Sequence, residues 1–135
     1  MSIDLRQRLE AILSRRIVLL DGGMGTLWQQ YALEESDYRG KLLADHPSPL
    51  KGNHDLLALT RPDVLRELHD TYLDAGADII ETNTFGASPI GMDEFDLPLE
   101  LVDEINAAAI TCARRAVDEF AEKTPDRPRF IAGSI

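Results

Sequence analysis

Three short apolar runs, each suited to a β-strand, are separated by stretches that each hold an amphipathic helix, and this alternation constrains the fold more than any other feature of the chain. The runs are Ile17-Val18-Leu19-Leu20, the segment Ala77 to Phe85, and the segment Arg129 to Ile135. Strand-helix-strand-helix-strand order favours parallel pairing through right-handed crossovers. An amphipathic first helix carries Leu5, Leu9, Ile12 and Leu13 and ends near Arg15 and Arg16. Between the first two strands, Thr60-Arg61-Pro62-Asp63 reads as a helix start. Thr60 is expected to cap it, with Pro62 in the first turn and Asp63 answering back to the Thr60 amide. Val64, Leu65, Leu68 and Tyr72 then make one face, and Gly76 closes the helix. Between the second and third strands, Val102, Ile105, Ala109, Cys112, Ala116 and Phe120 step by three or four residues along a long helix that Thr124-Pro125 breaks.

The strands begin about 60 and about 50 residues apart, against roughly 30 for a minimal βαβ unit. The surplus lies mostly in segments leaving the C-terminal strand ends. The stretch from Glu34 to Asn53, with Gly40, Pro47, Pro49 and Gly52, reads as a long ordered loop, and Ser88 to Pro98 as a short helical turn anchored by Phe95. Long segments at that end suit both a (β/α)8 barrel and an open doubly wound sheet, and the pattern does not choose between them.

Charge removes several classes of function. With 24 acidic and 14 basic residues the formal net charge is -10, which repels nucleic acid and anionic membrane surfaces. No apolar stretch approaches the roughly 20 residues that span a bilayer, and the amino-terminal MSIDLRQRLEAILSRR lacks a signal-peptide core, so a cytoplasmic protein is expected. Cys112 is the single cysteine and lies on the apolar helix face with no basic residue expected beside it, so it reads as a buried thiol and excludes an intrachain disulfide.

The first strand delivers Asp21 directly into Gly22-Gly23-Met24-Gly25-Thr26. Such glycines permit positive φ and close approach of a ligand to the backbone, so Asp21 reads either as a site carboxylate at the sheet mouth or as a cap for the next helix. A dinucleotide fingerprint is incomplete, because the third glycine is missing after Gly23-Met24-Gly25, and no lysine supplies a phosphate loop. The second strand ends in Glu81-Thr82-Asn83-Thr84-Phe85, a second polar exit. Asn83 and Thr84 read equally as pocket residues or strand-end caps, and Glu81 as a pocket carboxylate or a paired barrel residue. His46, His54 and His69 fit no metal-site spacing: the first two read as loop residues, and His69 as facing solvent or a neighbouring element. Trp28 and Tyr31 read as packing residues in preference to substrate contacts.

The words DGGMGT, GNHDLLALTRP (52–62), AGADIIETNTF (75–85) and TPDRPRFIAGSI (124–135) occur in an order and spacing that resemble the opening of the homocysteine-binding module of cobalamin-dependent methionine synthases, in the homocysteine S-methyltransferase family. The resemblance runs along essentially the whole chain. It implies an α/β fold that is the N-terminal portion of a (β/α)8 barrel, with about three parallel strands, residues 1–135 forming an incomplete domain that ends with the third strand. It further implies methyl transfer from methylcobalamin, recharged by methyltetrahydrofolate on other modules, to a homocysteine thiol held by zinc. In that family Asp21 would meet the substrate ammonium, the Gly22 and Gly23 amides its carboxylate, and Glu81, Asn83, Thr84 and Phe85 the rest of the pocket wall. The family's three zinc-binding cysteines belong to later strands than this chain contains, so it is expected to bind neither zinc nor cobalamin alone, to be inactive alone, and to self-associate through an incomplete barrel. His54 departs from the asparagine usual in relatives. The alternative expectation is a non-catalytic binding or assembly module derived from the same barrel.

Overall fold

The computed structural model describes residues 3–134; Ile135, the last residue of the expected third strand, lies outside them. Helix α1 (Ile3–Leu13) leads to an extended segment, followed by α2 (Met24–Trp28) and α3 (Glu35–Arg39). Then come α4 (Leu57–Thr60), α5 (Pro62–Asp74), β1 (Ile79–Glu81), α6 (Pro89–Asp93), α7 (Glu100–Lys123) and β2 (Phe130–Ala132). Short 3-10 turns, Gln29–Tyr31 and His54–Leu56, precede α3 and α4. Strands β1 and β2 are parallel, with Ile79 opposite Phe130 and Glu81 opposite Ala132. The expected first strand contributes one parallel bridge, Leu20 to Ile79, on the other edge of β1. Its ladder stops there because the Leu19 carbonyl accepts two successive amides, from Asp78 at 2.8 Å and Ile79 at 3.1 Å, which breaks the alternation a regular ladder requires. Ile17, Leu19 and Leu20 are correspondingly exposed.

Two apolar clusters hold the elements together. One joins Leu73 and Ala77 at the end of α5, Ile80 of β1, and Ala113, Ala116, Val117 and Phe120 of α7, so each long helix packs its period-3.6 face on the sheet. The other gathers Trp28, Tyr38, Leu50, Leu56, Leu57, Leu65, Leu68, Met92 and Ile105 beneath the segments that leave the strands. Helix α5 ends as expected: Gly76 adopts φ 104, its amide donates to Leu73 O, and the Ala77 amide donates to Tyr72 O, the paired bonds of a Schellman cap.

Several local expectations are revised. Thr60 does not cap α5: it is the last residue of α4, its hydroxyl returns to Leu56 O, and Arg61 occupies the cap position while pairing with Asp63 at 2.8 Å. The stretch 34–53 is partly helical, since Glu34 and Asp37 form a reciprocal capping box that starts α3. Gly22, Gly23 and Gly25 are not in the positive-φ region; Gly22 serves instead by close approach, because a Cβ there would lie 3.3 Å from the Tyr72 hydroxyl. Of the two places expected for His69, the structure takes the one against neighbouring elements. It is fully buried on α5 with neither ring nitrogen hydrogen-bonded among the described residues, and burial pushes its pKa down to about 4.

Candidate functional site

Parallel pairing brings the two polar strand exits to the same end of the sheet. Asp21, one residue past the Leu20 bridge, donates its amide to Ile79 O at 2.9 Å and accepts the Glu81 amide on Oδ2 at 2.9 Å. Its other oxygen, Oδ1, is buried and has no hydrogen-bond partner among the described residues. Burial, with a smaller push from the neighbouring Glu81 charge, raises the Asp21 pKa to about 6, against a bond from the Glu81 amide that lowers it. A carboxylate half-satisfied in this way lacks one donor and one positive charge. The glycine turn beside it is fixed from α5, where the Tyr72 hydroxyl donates to Gly23 O at 3.1 Å.

The second exit is braced on two sides. The Thr82 and Thr84 hydroxyls lie 2.8 Å apart; Thr84 donates to Ser134 O at 2.8 Å, and the Ser134 amide donates to Thr82 Oγ1 at 3.1 Å, which ties this exit to that of β2. The Asn83 amide group donates to His54 O at 2.8 Å, and Asp55 accepts the Gly86 amide at 3.1 Å. Burial raises the Asp55 pKa, opposed by backbone donors that include Gly86. Asn83 and Thr84 are therefore buried and occupied in positioning the loop, while Phe85 is 94% exposed at its tip. Asp55, Tyr72, Thr82 and Ser134 are structural members of this rim that sequence reasoning missed. Nothing local in the sequence announces the reach of Asp55 to Gly86.

Other polar candidates fall away from the rim. His54 stacks on Trp28 with ring centres 5.9 Å apart and meets Tyr38 edge-on, and burial lowers its pKa, so the ring packs as a neutral aromatic. His46 bonds Phe95 O at 2.9 Å, and Tyr31 donates to Glu67. Cys112 lies in a groove of about 450 Å³ between α4, α5 and α7, with Ala58, Pro62, Arg66 and Arg115. Arg66 and Arg115 do act on this thiol, contrary to expectation, yet burial outweighs them and raises its pKa. Among the described residues no three histidine, cysteine, aspartate or glutamate side chains converge as a metal would require. Among the described residues this rim therefore offers no donor set for a thiolate-binding metal centre.

Residues 18–135 match the family model for homocysteine S-methyltransferase. The chain belongs to the homocysteine S-methyltransferase family. Solved structures of the homocysteine methyltransferase MmuM from Escherichia coli share its fold. The oxidized form superposes with a TM-score of 0.70 at 24% identity, covering 93% of this chain and 39% of that one. The metallated form gives 0.69 at 24% identity, covering 93% and 40%. The chain therefore spans about two fifths of these family structures, and its parallel sheet with flanking helices corresponds to part of a (β/α)8 barrel. No helix among the described residues is long and apolar enough to cross a membrane.

Proposed function

We propose that this chain forms the amino-acid-binding part of a homocysteine methyltransferase of the methionine synthase type. Asp21 receives the substrate ammonium, the Gly22 and Gly23 amides receive its carboxylate, and Glu81, Asn83, Thr84 and Phe85 line the remaining wall. One observation carries this reading: Asp21 Oδ1 is a buried acceptor without a donor, on a carboxyl whose pKa is raised to about 6. An ammonium would provide both the missing donor and the charge that restores the ionised form. Because Oδ1 is shielded, its cover must part for the amino group to enter. Asn83 and Thr84 then act as the rigid brace of the wall, and Phe85, free at the loop tip, is placed to cover the bound amino acid.

The chemistry served is attack of the homocysteine sulfur on a methyl group, which needs a thiolate. Following the sequence words, the methyl donor would be methylcobalamin, recharged by methyltetrahydrofolate on other modules, and zinc, which the described residues do not hold, would supply thiol activation. Calorimetric titration of homocysteine into the protein tests the reading. Asp21→Ala should weaken binding by about 1.5–3 kcal/mol, the worth of a charged hydrogen bond, and should not change binding of an analogue without the amino group. Equal affinity for homocysteine in both proteins would reassign Asp21 to holding the Glu81 amide. A second reading, a binding or assembly module, draws on the exposed Ile17, Leu19 and Leu20; self-association without homocysteine binding would favour it.

A further inference from the structure

The two halves of the proposed amino-acid site are anchored on different elements. Asp21, which meets the ammonium, is held by β1: its amide donates to Ile79 O and its Oδ2 accepts the Glu81 amide, each at 2.9 Å. The glycines that meet the carboxylate are held from α5. Tyr72 donates its hydroxyl to Gly23 O at 3.1 Å, and no other side chain is hydrogen-bonded to Gly22, Gly23 or Gly25 among the described residues. The same hydroxyl oxygen lies against Gly22, where a Cβ would meet it at 3.3 Å, and it accepts from the Gly22 amide. Burial first and the Asp21 charge second raise the Tyr72 pKa, against the Gly22 amide, so the hydroxyl keeps the proton it donates.

A turn of this composition needs such an external anchor. Gly22 and Gly23 have no Cβ to pack, and ordering them costs more backbone entropy than ordering other residues. Neither is in the positive-φ region, and α2 starts after Gly23 without a side-chain cap, so no special turn geometry locks the pair. Tyr72 is itself well placed to lock it, since its ring packs partly buried against the cluster of Leu73, Ala77 and Ile80. Its hydroxyl accepts from the peptide that enters Gly22 and donates to the peptide that leaves Gly23. The peptide between these two carries the Gly23 N–H. Gripping both neighbours fixes the direction of that N–H, whereas the Gly22 amide is already shared with Tyr72.

Building on the homocysteine reading, we infer that Tyr72 is the positioning residue of the carboxylate half of the site: it aims the Gly23 amide at the substrate carboxylate, while Asp21 keeps its place independently of it. Tyr72→Phe keeps the ring and removes only the hydroxyl. Calorimetric titrations of the unaltered chain and of this variant would use homocysteine, its deaminated analogue mercaptobutanoate and its decarboxylated analogue aminopropanethiol. Homocysteine and mercaptobutanoate should bind the variant about fivefold to tenfold more weakly, and aminopropanethiol should bind both proteins alike. An equal loss for all three ligands would mark a general loosening of the fold and overturn the inference, as would no loss for any. Homocysteine failing to bind the unaltered chain overturns the reading and the inference together; binding that Tyr72→Phe leaves intact overturns the inference alone. Amide exchange without ligand reads the same division and decides where a half-ligand binds too weakly for calorimetry. In Tyr72→Phe the Gly22 amide should exchange about tenfold faster while the Glu81 amide, which holds Asp21, keeps its rate. Equal acceleration at both amides, or at neither, overturns the inference.

Discussion

Asp78 and Asp21 are the same residue type at opposite ends of one small parallel sheet, and the chain treats them in opposite ways. Asp78 is buried deeply, which alone would raise its pKa, but two arginines and the Leu19 amide hold it well below the usual carboxylate range. Asp21 is buried less completely, yet it has a single amide donor on one oxygen and nothing on the other, and its pKa rises to about 6. Burial is common to both, so the difference lies in the donors. The N-terminal end spends its carboxylate on joining three chain segments, and the C-terminal end keeps one in reserve, matching the division of a (β/α)8 barrel into a stabilising and a reactive face.

That contrast breaks most readily at Asp78. Asp78→Ala would take the shared carboxylate from Arg16, Arg127 and the Leu19 amide, and should cost about 2–4 kcal/mol in denaturant unfolding, less than a fully buried pair would because both arginines are partly solvated. Because the folded pKa is depressed, the contribution is fully present above the unfolded value of 3.8 and is lost as pH falls below it. A loss under 1 kcal/mol would mean that the ionic knot and the reserve carboxylate differ in pKa but not in structural role.

The parts legible in the sequence are those written by local periodicity. The buried faces of α5 and α7 repeat every three or four residues, Gly76 marks its cap by needing φ 104, and Asp21 follows its apolar run directly. What stayed hidden depends on partners distant in sequence. Arg16 meets Asp78 across 62 positions and Asp55 meets Gly86 across 31, and no spacing rule connects them. Thr60 was misread because a threonine before Arg-Pro-Asp satisfies the local rule for a cap, while α4 ends on it in three dimensions. For His69 the sequence left solvent and a neighbouring element both open, and only the packing around α5 decides for the buried place. The DGG turn was legible as a place, and its backbone conformation was not.

A smaller effect should show that the reactive end is not soft throughout. Gly91 in α6 packs directly on the loop after β1, and a Cβ there would lie 2.1 Å from Gly86 O. Gly91→Ala must push that loop, and with it the Asp55 contact, at about 1–3 kcal/mol. Hydrogen exchange should report the disturbance at the Gly86 amide while amides around Asp78 keep their protection.

Asp21→Asn should act in the other direction. A carboxylate whose pKa is raised on folding weakens the fold as pH climbs from 3.8 to about 6, and the penalty is complete above that. Removing it should stabilise the chain at pH 7 by on the order of 1–2 kcal/mol after allowance for solvent screening. His69, with its pKa depressed to about 4, gives the opposite slope, since the fold gains stability as pH rises from about 4 to 6.5. The two slopes oppose each other in nearly the same window in the natural sequence. Asp21→Asn removes that opposition, so thermal midpoints should climb more steeply across this window than in the natural sequence.

The finest test separates burial from charge at Asp21. Glu81 sits beside it and contributes a like charge, but burial is the larger cause of the raised pKa. Glu81→Gln should therefore lower the Asp21 pKa by less than about one unit, read from the carboxyl carbon shift in an NMR titration, because the Glu81 amide and the enclosing atoms are unchanged. A fall all the way to 3.8 would assign the reserve to charge repulsion. An ammonium would then be attracted to the pair of carboxylates together, and the contrast between the two ends of the sheet would rest on the number of charges each gathers instead of on the donors each withholds.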